Sequence, residues 1–251
     1  MNFVGIIPAR YASTRFPGKP LVKVGGKMMI QRVYEQVSKI LADVYVATDD
    51  ERIESAVKSF GGKVIMTSPD HKSGTDRIAE AVAQITAQGI AVDVAINIQG
   101  DEPFISPVQI QLLMGCFSDQ STQIATLVKK IDDLETLFNV NSPKVVINNR
   151  NEALYFSRFT IPYVRGKDTK DWLTIHTYFK HIGIYAFKAD VLNAVTKLPQ
   201  SSLELAESLE QLRWIENGYK VKIAVTDEEG IAIDTSADLD KANKWFASKE
   251  N

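Results

Sequence analysis

The 251 residues are 45% apolar and 24% charged, with a formal net charge of -2, the make-up of an ordinary globular chain long enough for one large domain spanning 1–251. So small a charge excludes a nucleic-acid coat or a polybasic membrane surface, because both depend on summed Lys and Arg. The single cysteine, Cys116, excludes an intramolecular disulfide or a cysteine metal cluster, suits a reducing, cytoplasmic compartment, and is expected to be buried.

In chain order, Asn2-Phe3-Val4-Gly5-Ile6-Ile7-Pro8 lacks a basic leader and turns polar at Arg10, so it reads as a first strand and not as a signal peptide. Short Val- and Ile-rich runs recur at Phe3–Ile7, Val44–Ala47, Lys63–Met66, Val94–Ile98 and Ile124–Val128. Between the first two, Met29, Ile30, Val33, Val37 and Ile40 recur at helical spacing, and this alternation is that of βαβ units. Ser73 caps a second helical pattern through Ile78, Ala79, Val82 and Ile85, and Ser106-Pro107 opens a third. From about 141 to 187 the texture changes to closely spaced strands, Lys144–Ile147, Ala153–Phe156 and His181–Phe187, which predicts an antiparallel insertion. A helix from Leu203 to Asn217 with Leu205, Leu209 and Leu212 on one face, a strand Val221–Val225 and a last helix after Asp234 complete the pattern. No apolar run approaches the roughly 20 residues that a membrane helix needs.

The loop after the first strand, Pro8-Ala9-Arg10-Tyr11-Ala12-Ser13-Thr14-Arg15-Phe16-Pro17-Gly18-Lys19-Pro20, gathers three cations and two hydroxyls. In an open α/β sheet such a loop lies beyond the strands' carboxyl ends, where ligands bind. Arg10 and Arg15 can fork onto phosphate oxygens and Lys19 adds a compact charge, a suitable lining for a triphosphate; isolated on a surface, all three are simply solvated. Gly18-Lys19 is followed by Pro20, so no Walker loop is present, and no G-x-G-x-x-G follows a strand.

Gln99-Gly100-Asp101-Glu102-Pro103 presents a carboxylate at the end of an apolar strand. Asp101 there suits Mg²⁺, a hard cation bound by one or two carboxylates and waters, although the same residues make an ordinary turn. Asp234 closes the run Gly230-Ile231-Ala232-Ile233 and stands where a helix cap is equally plausible. The three histidines, His71, His176 and His181, have neither i,i+4 spacing nor a cysteine beside them, so a zinc site is not expected. Ser73-Gly74-Thr75 offers hydroxyls and free N–H groups at a helix start, available to a ligand or to the cap.

The segment Ile7 to Leu21 resembles the signature of the 3-deoxy-manno-octulosonate (KDO) cytidylyltransferase family, the CMP-KDO synthetases. The resemblance continues through Val46-Ala47-Thr48-Asp49, Ser73-Gly74-Thr75-Asp76-Arg77, Gln99 to Pro103, Ala153 to Arg158, His181 to Tyr185 and Leu209 to Arg213. It implies a mainly parallel, Rossmann-like α/β nucleotidyltransferase sheet with helices on both faces. It also implies a cytoplasmic enzyme of lipopolysaccharide synthesis that joins CMP from CTP to an acidic sugar, with Mg²⁺ and no nucleic-acid or membrane partner. By the same resemblance, Pro8, Ala9, Arg10, Arg15 and Lys19 face the triphosphate, Ser73, Thr75 and Gln99 the cytosine, and Asp101 with Asp234 the metal. Arg158, His181, Tyr185, Glu210 and Gln211 then face the sugar, with Arg158 expected on its carboxylate; without the resemblance, His181 and Tyr185 read as core and Glu210 and Gln211 as solvated. The 141–187 insertion is the expected homodimer contact. Sialic-acid cytidylyltransferases share the Ile-Pro-Ala-Arg opening but continue with a glycine-rich stretch, so a synthase for another acidic sugar is the alternative, and a nucleotide-sensing module without catalysis is a second.

Overall fold

The computed structural model describes residues 1–12, 16–230, 233 and 235–247. By contact the chain forms two compact units, Met1–Gln111 with Gly230–Asn251, and Leu112–Glu229.

The first unit is built on four parallel strands, β1 (Phe3–Ala9), β4 (Asp43–Thr48), β5 (Lys63–Met66) and β6 (Val94–Asn97), in the order β6-β1-β4-β5. A short hairpin of β2 (Lys23–Val24) and β3 (Lys27–Met28) precedes helix α1 (Met29–Val37). All four residues of β6 and Val4 to Ile7 of β1 are buried, as expected of parallel strands covered on both faces. α1 buries the Met29, Ile30, Val33 and Val37 stripe read from the sequence. Helix α2 (Glu51–Ser59), not foreseen, has the short stripe Ile53 and Val57 and is capped by Asp50, whose carboxylate accepts from Arg52 N at 2.9 Å. α3 (Gly74–Ala87) begins with a reciprocal capping box between Ser73 and Asp76. α4 (Pro107–Cys116) starts at the predicted Ser106-Pro107 signal, and the Cys116 at its end is half-buried.

In the second unit β7 (Ile124–Lys130) is followed by α5 (Leu134–Phe138), β8 (Lys144–Ile147), β9 (Ala153–Ser157), α6 (Trp172–Ile175), β10 (Phe179–Lys188) and α7 (Ala189–Val195). Then come α8 (Ser202–Glu207), α9 (Gln211–Glu216) and β11 (Val221–Val225). The strand order is β11-β7-β10-β8-β9, with β11 parallel to β7 and the other pairs antiparallel. The strands expected between 141 and 187 are therefore antiparallel. The single helix expected over Leu203–Asn217 is two helices, because Ser208 adopts a left-handed φ of 52° and turns the chain between them. Leu205, counted with the apolar face, is consequently 61% exposed, while Leu209 and Leu212 are buried.

The chain then returns to the first unit, where α10 (Ser236–Ala247) packs its Ala242 with Ile233 against Val24 and Met29. Asn243 fixes the contact by accepting from Gly25 N at 2.8 Å.

Candidate functional site

In the first unit the carboxyl end of β1 is the meeting point. A Cβ on Gly100 would lie 3.0 Å from the Pro8 carbonyl oxygen, so any side chain here would push the Gln99–Asp101 turn a little away from β1. The start of α3 arrives from another side, with the Gly74 Cβ position 3.6 Å from Pro8 Cγ. Pro8, Ser73-Gly74-Thr75 and Gln99-Gly100-Asp101, distant in sequence, thus surround one strand end.

The loop is closed onto this point by its own backbone. Gly18, at φ 71°, donates to the Tyr11 carbonyl at 2.9 Å and leads into a 3-10 turn at Lys19–Leu21. The Tyr11 ring lies against Gly18, and the Arg52 guanidinium stacks 3.3 Å from its centroid. Lys19 is buried, and its Nζ meets Asp101 Oδ2 at 2.8 Å. The Asp101 side chain keeps 37% exposure, and among the described residues no donor is bonded to Oδ1. Arg10 is exposed and donates from Nη2 to the His71 carbonyl, while the His71 ring is bonded to Glu80. Arg15 lies outside the described residues.

Ile233 N donates to the Asp101 carbonyl at 3.1 Å, so the chain just before position 234 lies against the turn that carries Asp101. Asp234 itself is outside the described residues. The cap of α10 is its neighbour Thr235, which accepts from Asp238 N at 3.2 Å and donates to Asp238 Oδ2 at 2.8 Å. The capping duty that the sequence could assign to Asp234 therefore belongs to Thr235. A carboxylate that is 37% exposed at this strand end suits a divalent cation that keeps waters and phosphate oxygens in its shell.

In the second unit, β10 and the α8–α9 corner hold the expected sugar residues. His181 Nε2 is 3.0 Å from Thr126 Oγ1, whose proton goes to the Ile184 carbonyl at 2.7 Å. The imidazole must then donate from Nε2, and loss of hydration holds its pKa down to about 3, so it is neutral at any working pH. A register shift between Ile182 and Tyr185 re-aims the strand here. The Tyr185 hydroxyl, Gln211 Nε2 and Trp214 Nε1 are all buried without a hydrogen-bond partner among the described residues. Burial, with the Glu210 charge, raises the Tyr185 phenol well above its usual range, keeping it a donor. Three orphaned donors on neighbouring aromatic and helical surfaces, with the Tyr185 and Trp214 rings edge to face at 5.0 Å, mark a place built to meet acceptor atoms.

Arg158 departs from expectation. Its Nε, Nη1 and Nη2 donate to the carbonyls of Glu207, Val140 and Ser208 at 2.6, 3.3 and 3.2 Å, and its backbone N–H to Glu207 Oε2 at 2.9 Å. It ties down the left-handed Ser208 corner, where a free fork for a carboxylate had been expected. Arg213, not singled out from the sequence, grips Glu204 at 2.6 and 2.8 Å and reaches Glu210 at 3.4 Å. Sequence reading also assigned no role to Trp214; its only signal was proximity to Leu209–Arg213.

Comparison with known proteins agrees along the whole chain. A family model described as cytidylyltransferase matches residues 4–223. The 3-deoxy-manno-octulosonate cytidylyltransferase of Parabacteroides distasonis is 62% identical over 253 residues, covering 99% of this chain and 100% of that protein. The 8-amino-3,8-dideoxy-manno-octulosonate cytidylyltransferase of Shewanella sp. strain ANA-3 is 46% identical over 251 residues, covering 98% and 99%. Among solved structures, a CMP:2-keto-3-deoxy-manno-octonic acid synthetase complexed with CTP superposes with a TM-score of 0.90 at 43% identity, covering 99% of this chain and 100% of that one.

Proposed function

Because the chain belongs to the cytidylyltransferase family, we propose that it transfers CMP from CTP to 3-deoxy-manno-octulosonate and releases pyrophosphate. The observation that carries this reading is the 62% identity, over nearly the full length, to a relative named for that activity. The anomeric oxygen of the sugar forms the new bond to the α-phosphorus as the bond to pyrophosphate breaks, and the hydroxyl proton is released.

The first unit is suited to the nucleotide. Arg10, Arg15 and Lys19, with the backbone of Pro8 and Ala9, receive the triphosphate, and Ser73, Thr75 and Gln99 receive the cytosine. Gln99 carries both donors and an acceptor, as that base edge requires. Asp101, joined by Asp234, holds Mg²⁺, which when bound supplies positive charge to the α-phosphate and favours ionisation of the attacking hydroxyl. Lys19 must leave Asp101 for phosphate as the nucleotide enters, and this exchange keeps both charges compensated throughout.

In the second unit, Tyr185, Gln211 and Trp214 donate to sugar oxygens, and neutral His181 presents Nδ1 as an acceptor. Glu210 accepts from sugar hydroxyls, and Arg158 holds the corner that carries Glu210 and Gln211. The identity to the Shewanella protein supports a second reading in which the acceptor bears an amino group. The product feeds lipopolysaccharide synthesis in the cytoplasm, where CTP is made, and the enzyme works as a homodimer. No helix among the described residues is long and apolar enough to cross a membrane.

The deciding experiment measures pyrophosphate release from CTP and Mg²⁺ with 3-deoxy-manno-octulosonate, its 8-amino analogue and N-acetylneuraminate. The first sugar is expected to be preferred. Preference for the amino sugar establishes the second reading, and no release with any acceptor removes both.

A further inference from the structure

Arg77 has no exposed area, yet it sits on the buried side of α3 with Ile78, Ala81, Val82 and Ile85. An apolar side chain there would simply continue the stripe. Its guanidinium instead reaches the ends of two strands: Nη2 meets Asp49 Oδ2, one residue past β4, at 2.8 Å, and Nη1 meets Thr67 Oγ1, one residue past β5, at 2.6 Å. Thr67 is anchored in turn, donating its hydroxyl proton to the Thr48 carbonyl at 3.2 Å. Nε is buried without a partner among the described residues. A buried ion with one donor unmet is a poor way to gain stability, since a well-packed apolar residue usually serves as well or better.

What the fork does achieve is placement. The Ser73–Asp76 capping box fixes the shape of the first turn of α3 but not where that turn sits. Arg77 fixes its position, tying the turn to the ends of β4 and β5 while Gly74 rests on Pro8 at the end of β1. Ser73 and Thr75, the proposed cytosine residues, lie within four positions of that anchor.

We propose that Arg77, held by Asp49 and Thr67, is the positioning residue that sets the nucleobase-reading turn, so that it governs recognition of the cytidine half of CTP and leaves the phosphate half alone. The inference rests on the nucleotide site proposed above. It is tested by calorimetric titration of CTP and, separately, of pyrophosphate into the full chain with Mg²⁺.

Thr67→Val removes one tooth of the fork without changing side-chain size, and Thr67→Ser keeps the hydroxyl. Thr67→Val and Arg77→Lys are expected to weaken CTP about tenfold. Pyrophosphate should stay within about twofold of wild type for both, as for independent sites, and Thr67→Ser should bind CTP like wild type. If Arg77→Lys does not fold, the two Thr67 variants decide alone. CTP binding by Thr67→Val within about twofold of wild type, or equal weakening of CTP and pyrophosphate, overturns the proposal. Wild-type protein that binds no CTP overturns instead the nucleotide site on which it rests.

Discussion

Lys19 Nζ, 2.8 Å from Asp101 Oδ2, sets a positive charge against the carboxylate proposed to hold a divalent cation. Ammonium and metal therefore compete for Asp101 until phosphate takes the ammonium. Replacing Lys19 with Gln should tighten Mn²⁺ binding in the absence of nucleotide by about tenfold, read by electron paramagnetic resonance of free Mn²⁺, because a like charge is removed from the site. Asp101→Asn should instead abolish that binding and lower kcat by about 10²-fold, the usual loss for one transition-state electrostatic contact. Unchanged Mn²⁺ affinity in both variants excludes Asp101 as a ligand. The types of these two residues and their strand-end positions were legible in the sequence, but the burial of Lys19 was not: a lysine in a polar loop reads as solvated until its counter-ion is seen. Arg77 was hidden for the same reason, since nothing in a linear pattern distinguishes a buried arginine from one on an outer helix face.

The α8–α9 corner shows where elements were legible and where they were not. The first-unit strands and the α1 and α3 stripes follow from apolar periodicity, which is local and strong. The break at Ser208 does not, because a left-handed serine carries no sequence signature comparable to glycine. What holds it is long-range: Arg158 donating to the Glu207 and Ser208 carbonyls, and Arg213 bound to Glu204. The Glu204 and Arg213 side chains are 7% and 9% exposed, so breaking the pair by Arg213→Met alone should cost about 3–5 kcal/mol, whereas Glu204→Met with Arg213→Leu should recover most of it. The acceptor KM should remain raised in the double variant, with the CTP KM unchanged, because Glu210 has still lost its contact with Arg213. Recovery of stability together with a normal acceptor KM reduces the pair to a purely structural role.

At the scale of the whole molecule, the second unit leaves aromatic area exposed that its own packing does not use. Phe159 is 74% and Tyr163 71% exposed, with Leu154 and Val140 above half. Tyr163 and Phe138 both lean on Trp172, at ring distances of 5.1 and 6.0 Å, so part of this area is one patch. Large exposed aromatics gathered in one region mark an interaction surface. A second copy of the chain is the partner these features favour: the formal net charge of -2 opposes self-association only weakly, and a patch on one small region can meet itself about a two-fold axis. Sedimentation velocity at micromolar concentration should show a dimer. Phe159→Lys with Tyr163→Lys should shift it to monomer by setting like charges into the same contact, while circular dichroism stays native because both side chains are mostly exposed. A wild-type monomer removes the homodimer, and a double variant that still dimerises moves the contact to another face.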